Sequence, residues 1–209
     1  MTVSVFELAL SAPLCALVPH GDSTIHAVTM DTIMSYCLTE PGSGSDAAAL
    51  KTKAARTNDG FALTGTKAFI SGGGYSDAYI IMARTGDDPS DCTMFLTELP
   101  NPAFKVHRVL GTMDSSFMGG HAVIDIDNLR VSGDDILGER GKGFQYAQVR
   151  LAPARLTHCM RWLGQARRAH DIALDYASRR HAFGKPLAEH EGVGFMLADN
   201  DIDLHTARL

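Results

Sequence analysis

Residues 143–180 contain a single proline, Pro153, and no cluster of turn-forming residues. Phe144, Ala147, Leu151, Leu163, Ala166, Ile172, Leu174 and Ala177 recur there at spacings close to three and four, which predicts a long helix. Arg179, Arg180 and His181 place positive charge at its carboxyl end, and Gly184 with Pro186 supplies the stop. Pro153 removes one hydrogen bond from the ladder and is expected to kink it. A second helix is expected over about residues 189–209, with Phe195, Leu197, Ala198, Ile202 and Leu204 available for burial. Two helices joined by a short loop form an antiparallel hairpin that needs further helices to cover it. Leu209 therefore reads as a truncation point, unless another chain supplies the cover.

Ahead of that helix the chain reads as short β segments: "MSYCLT", "LKTKAAR", "FALTGTKAFIS", "AYIIMAR", "TMFLTEL", "FKVHRVL" and "HAVIDIDNLRV". Turn residues separate them, which predicts an all-β barrel or sandwich. The firmest hairpin is the one turning at Asn58, Asp59 and Gly60. In the last segment Ala122, Ile124 and Ile126 share one face and Asp125 and Asp127 the other. The fold class expected is α+β: a middle β-barrel or sandwich domain over residues 34–139, then the first two antiparallel helices of a bundle over residues 140–209. Residues 1–33, whose apolar run is broken by Glu7 and Pro13, read as an unassigned leader with no clear targeting signal and no membrane span.

A net charge of −5 offers no basic field for nucleic acid, which leaves small molecules as the better partners. Cys15, Cys37, Cys92 and Cys159 show no paired spacing, and the nine histidines show no ligand spacing, so neither a metal site nor a disulfide framework is expected. Scattered thiols suit a reducing compartment, here the cytoplasm or an organelle matrix.

One stretch stands out from this background, "YCLTEPGSGSD" at residues 36–46. Gly42 and Gly44 permit backbone angles closed to other residues, and Ser45 or Asp46 can cap a short helix through Ala47 to Leu50. The alternative is a strand end whose N–H groups and hydroxyls cradle a flat heterocycle or a phosphate.

Together with "LTGTKAFISGGGYSDAYIIMART", "ILGERGKGFQYA" and "RRHAFGKPLAEHE", that stretch resembles the acyl-CoA dehydrogenase family in order and spacing. The resemblance covers residues 34–209, the family's middle β domain and the start of its carboxyl-terminal bundle. "RLAPARLTHCMR", residues 150–161, looks closest to family members ten and eleven. The resemblance implies an FAD-dependent enzyme in which a glutamate takes the α-proton of an acyl-CoA thioester while the β-hydrogen leaves as hydride to flavin N5. It further implies a homodimer or homotetramer, and electron-transferring flavoprotein as the electron acceptor.

Residue by residue, Tyr36, Cys37, Leu38 and Thr39 match the segment lining the isoalloxazine ring, and the Gly-Ser turn would let backbone approach flavin and ligand where a Cβ would obstruct. Ser45 matches a position near the CoA pyrophosphate. Phe69, Ile70 and Ser71 match the residues packing against the flavin and hydrogen-bonding near N5; read without the family, Phe69 is a core aromatic. Arg180 and Phe183 match contacts to a neighbouring subunit's FAD, where a guanidinium suits phosphate. Taken alone, Arg180 is a helix-end cation. His190 and Glu191 fall where the family has a further FAD contact, although a carboxylate sits badly beside a pyrophosphate.

No catalytic residue is identified in this chain. One of the family's two places for the basic glutamate holds Ala154, which cannot take a proton, and the other lies beyond Leu209. Arg155 keeps the polar chemistry of a substrate-contacting segment. The family's amino-terminal helical domain has no counterpart in residues 1–33. A fragment or short form of an acyl-CoA dehydrogenase is the leading reading, and a non-catalytic interaction module is the alternative.

Overall fold

The computed structural model describes residues 31–88, 91–113 and 119–209. The expectation for residues 1–33 falls almost wholly outside them. The chain divides into two compact units, residues 1–153 and 154–209.

Among the described residues the first unit carries eight strands: β1 (Met34–Cys37), β2 (Lys53–Arg56), β3 (Gly60–Ser71), β4 (Ala78–Arg84), β5 (Cys92–Glu98), β6 (Phe104–Leu110), β7 (His121–Ser132) and β8 (Ile136–Leu137). All seven expected segments are strands; β8 is an addition of two residues, too short to leave a periodic signal. They form one sheet in the order β6-β7-β3-β2-β4-β5-β8, with β1 paired to β4 off that path. The sheet is sandwich-like and does not close as a barrel. It is also mixed, since β4 pairs in parallel with both β1 and β2. The β2–β3 hairpin turns at Asn58 and Asp59 as expected, with Arg56 opposite Phe61.

β4 shows how the core is layered. Six of its seven residues are buried, because the strand is covered on both faces. Tyr79, Ile81 and Ala83 join one cluster with Cys37, Leu63, Phe95 and Ile124. Ile80 and Met82 point the other way, into a cluster with Leu50, Met94, Leu137 and Ala147. β7 alternates as its sequence demands, with Ala122, Ile124 and Ile126 buried and Asp127 exposed.

A long helix, α1 (Gly143–Arg179), begins in the first unit and continues through Pro153 into the second as one helix. Ala147 packs in the sheet's second cluster. After α1 come two short strands, β9 (His181–Ala182) and β10 (Lys185–Pro186), paired antiparallel as a hairpin that the periodicity did not reveal. A 3-10 turn at Leu187–Glu189 leads into α2 (Glu191–Arg208). No residue of α2 is buried. The apolar residues available for burial there are open or half-open, with Phe195 61% and Ile202 63% exposed, as suits a hairpin that needs further cover. Among the described residues no helix is long and apolar enough to cross a membrane.

Candidate functional site

β1 delivers the first candidate residues by simple alternation. Cys37 is wholly buried in one cluster, whereas Tyr36 and Leu38 pack against the other. Burial pushes the Cys37 thiol up to about 12, so any contact this residue makes with a ligand goes through its backbone. Burial also raises the Tyr36 phenol well above its ordinary value, against the opposing charge of Arg150. The Arg150 guanidinium lies 4.5 Å from the centre of the Tyr36 ring, a cation–π contact.

The turn that follows is built differently from its sequence reading. Glu40 and Ser43 exchange two backbone hydrogen bonds of 3.0 and 3.1 Å around Pro41 and Gly42. Neither Gly42 nor Gly44 has positive φ, and a Cβ at either position would meet nothing within 4 Å. The chain's own geometry therefore does not require these glycines, and the space beside them is open. Nor does a side chain cap the 3-10 turn Ala47–Ala49, since Asp46 makes no capping bond there. The Ser43 hydroxyl donates to the Asp46 carbonyl instead, at 2.8 Å. Ser45 is exposed.

β3 carries the least expected feature. The pairing of β3 with β7 slips between Lys67 and Ile70, and the alternation breaks with it: Lys67 and Ala68 are both buried, Phe69 is 64% exposed and Ile70 is buried. Phe69 has φ 57°, a left-handed conformation in which a bulky residue is a genuine outlier. Reading this aromatic as core, from an apolar strand alone, is thus overturned by the bulge. Ile70, 2% exposed, belongs to the core. Ser71 is tied at both ends: its carbonyl accepts from the buried Ser35 hydroxyl at 2.6 Å, and its own hydroxyl lies 3.0 Å from His121 Nδ1.

Beneath these residues lies a network absent from the sequence expectations. Lys67 is fully buried, and its ammonium donates to Glu40 Oε1 at 2.9 Å and to the Leu38 carbonyl at 3.2 Å. Glu40 also accepts from the Lys51 and Thr52 backbone N–H groups at 2.6 and 2.9 Å and from the Thr52 hydroxyl. The signal was present: Lys67 is the only charge in the twelve-residue strand β3, and a cation that goes inside needs a carboxylate.

The second unit holds the remaining candidates. Phe183 and Gly184 form the central pair of the β9–β10 hairpin with φ of 52° and 82°, both left-handed, as the two-residue turn that suits strand twist requires. Asparagine ordinarily takes that first position; here a phenylalanine does, and it is 97% exposed. His190 braces the hairpin, donating from Nε2 to the Ala182 carbonyl at 3.0 Å, with its ring 6.1 Å from that of Phe183 and edge-on to it. Glu191 opens α2, where the helix amide ends favour a negative charge. Arg180 and Arg155 are exposed, and Ala154 is buried.

Two family models match the chain: acyl-CoA dehydrogenase, middle domain, over residues 35–125, and acyl-CoA dehydrogenase, C-terminal domain, over residues 141–209. Isobutyryl-CoA dehydrogenase, mitochondrial, of Dictyostelium discoideum is 37% identical over 184 residues, spanning 87% of this chain and 44% of that protein. The Bos taurus protein of the same name is 38% identical over 182 residues, with the same coverage of both. Butyryl-CoA dehydrogenase from Megasphaera elsdenii superposes with a TM-score of 0.87 at 30% identity, over 96% of this chain and 54% of that one. The chain thus spans less than half the length of these curated relatives, and with two matched domains in the family's order it belongs to the acyl-CoA dehydrogenase family.

Proposed function

We propose that this chain is the cofactor-holding part of an FAD-dependent acyl-CoA dehydrogenase that removes two hydrogens from the α and β carbons of an acyl-CoA thioester. Phe69 carries the proposal. An aromatic ring held 64% exposed on a left-handed backbone costs on the order of 1–3 kcal/mol in strain, and the ring itself packs into neither core cluster. A flat ligand stacked on that ring would supply the compensation.

The residues present fit the flavin. The open space at Gly42 and Gly44 admits a ligand close to the backbone, Ser71 offers a hydroxyl held by His121, and Phe69 offers a stacking face. Bound FAD would supply the hydride acceptor that this chemistry needs. The chain's own part is to line and orient: Tyr36, Cys37, Leu38 and Thr39 from β1 and its exit, and Phe69, Ile70 and Ser71 from β3, with Cys37 and Ile70 acting through backbone. Ser45 and Arg155 would meet the acyl-CoA.

In the same reading Arg180, Phe183 and His190 serve the FAD of a neighbouring subunit in a homodimer or homotetramer. Glu191 falls at the same contact, where a carboxylate sits badly beside a pyrophosphate. Electron-transferring flavoprotein takes the electrons. Domain limits of 34–139 and 140–209, kinship with members ten and eleven through residues 150–161, and a location in the cytoplasm or an organelle matrix belong to the same proposal. Ala154 carries a methyl group at one of the family's two base positions, so the proton acceptor is not found there.

The test is Phe69→Gly, read by equilibrium unfolding and by FAD titration followed through flavin fluorescence. Glycine accepts positive φ freely, so the variant is expected to be more stable by about 1 kcal/mol, while FAD binds at least tenfold more weakly. Wild-type FAD affinity in the variant would refute the reading.

A further inference from the structure

We propose that Lys67 and Glu40 form a buried positioning device that sets where the Leu38–Thr39 backbone and the Phe69 ring stand, and so shapes the flavin face from beneath. The inference rests on the flavin reading above and assigns roles to two residues that touch no ligand themselves.

A fully buried lysine joined to a carboxylate is not explained by stability. Desolvating both charges offsets their attraction, and well-packed apolar residues of similar size commonly serve a core as well or better. What such a pair does supply is direction, because each of its hydrogen bonds fixes a distance. Here those bonds converge on one place. The Lys67 ammonium holds the Leu38 carbonyl at 3.2 Å, while the adjacent Ala68 N–H donates to the Thr39 carbonyl at 2.9 Å. Two successive carbonyls of the β1 exit are therefore fastened to two successive residues of β3. Glu40, next in the chain, is anchored in turn by Lys51 and Thr52. Gly65 makes that anchorage possible, since a Cβ on it would come within 2.4 Å of Thr52 Oγ1.

The same fastening explains the bulge. The Lys67 side chain turns inward to Glu40 and Leu38 while the Ala68 N–H reaches the Thr39 carbonyl, so two consecutive residues are buried on a strand that normally alternates. The slip between Lys67 and Ile70 then leaves Phe69 on the outside with φ 57°. Buried pair, bulge and exposed ring are one arrangement.

The first variant is Lys67→Met, which keeps the Glu40 hydrogen bonds to Lys51 and Thr52 while releasing the Leu38 carbonyl. Glu40→Gln combined with Lys67→Met removes both charges and guards against failure to fold. Amide hydrogen exchange without flavin is the primary readout. In a folded variant the Ala68 amide is expected to exchange at least tenfold faster than in wild type, while β4 and β5 amides keep their protection. Unchanged exchange at Ala68 overturns the proposal. FAD titration is the second readout: wild type is expected to bind with a distinct visible circular dichroism band, and the double variant to bind at least tenfold more weakly with that band altered. Equal affinity and an identical band in wild type and double variant also overturn the proposal. Failure of wild type itself to bind FAD counts against the flavin reading, and the Ala68 exchange still decides the role of the pair.

Discussion

The β unit hides even a lysine, whereas the helix pair leaves a tryptophan in the open. In the sheet, residues as different as Tyr79, Lys67 and Phe95 are almost wholly inaccessible. On α1 and α2, Leu156, Met160, Trp162, Ile172, Phe195 and Ile202 are all more than half exposed. A sheet that is covered on both faces at β4 closes its own core; two helices can cover only one stripe of each other. The lesson is that the two units meet different demands within one chain: the first is shaped by internal burial, the second by surfaces that its own residues leave uncovered.

The largest expected effect tests that contrast directly. Phe95→Ala should cost roughly 3–5 kcal/mol, because the ring is lost from a closed core where Phe61 lies 5.2 Å away. Phe195→Ala on α2 should change stability by no more than about 0.5 kcal/mol, as surface substitutions do. Urea unfolding of both variants measures the difference, and comparable losses would show that α2 is packed in solution.

A smaller effect concerns what the second unit is for. Arg180→Ala should weaken FAD retention by about 1.5–3 kcal/mol, the range for charge-assisted hydrogen bonds, with no change in unfolding midpoint because the side chain is exposed. Flavin content of the two proteins, purified side by side, is the measurement. Thiol mapping sharpens the same division without flavin: alkylation should mark exposed Cys159 quickly and spare buried Cys37 and Cys92 until the sheet unfolds.

Much of this architecture was legible because period and burial agree. α1 announced itself by its spacing and the first half of β7 by the alternation of Ala122, Ile124 and Ile126. β3 was legible as a strand, and its motif marked Phe69, Ile70 and Ser71, but its bulge was not legible, because a bulge is a departure from alternation. Lys67, Ala68 and Phe69 could be placed only once Lys67 was seen to bond Glu40 and the Ala68 N–H to bond Thr39. The β9–β10 hairpin escaped for a related reason: Phe-Gly is not a usual two-residue turn, and its Phe183 accepts a strained backbone that local preference would refuse. Motif resemblance marked Phe69 and Phe183 as functional although local physics argued otherwise. Both positions break a local rule, each a bulky residue on a left-handed backbone.

The smallest effect is a pH dependence, and it separates the two units by mechanism. Burial alone would raise the Glu40 carboxyl, but the Lys67 charge and the hydrogen bonds from Thr52 and Lys51 outweigh it and hold the group below its ordinary 4.5. A depressed carboxyl contributes stability that is present above 4.5 and is lost as pH falls through the lower folded value. Lys67 is lowered from 10.5 by burial, an effect that the Glu40 charge only partly offsets. The unfolded chain then holds that proton to higher pH than the folded one, so stability rises again as pH climbs from the folded value towards 10.5. Both groups thus tilt stability upward with pH, one at each end of the range. On the helices, by contrast, the pairs Arg167–Asp171 and Arg179–Asp175 stand in solvent, where salt screens them. Urea midpoints at acid pH, with and without molar sodium chloride, should therefore show a loss in the β unit that salt does not abolish. The Glu40→Gln, Lys67→Met double variant should flatten that slope; an undiminished slope would place the acid sensitivity in other carboxylates.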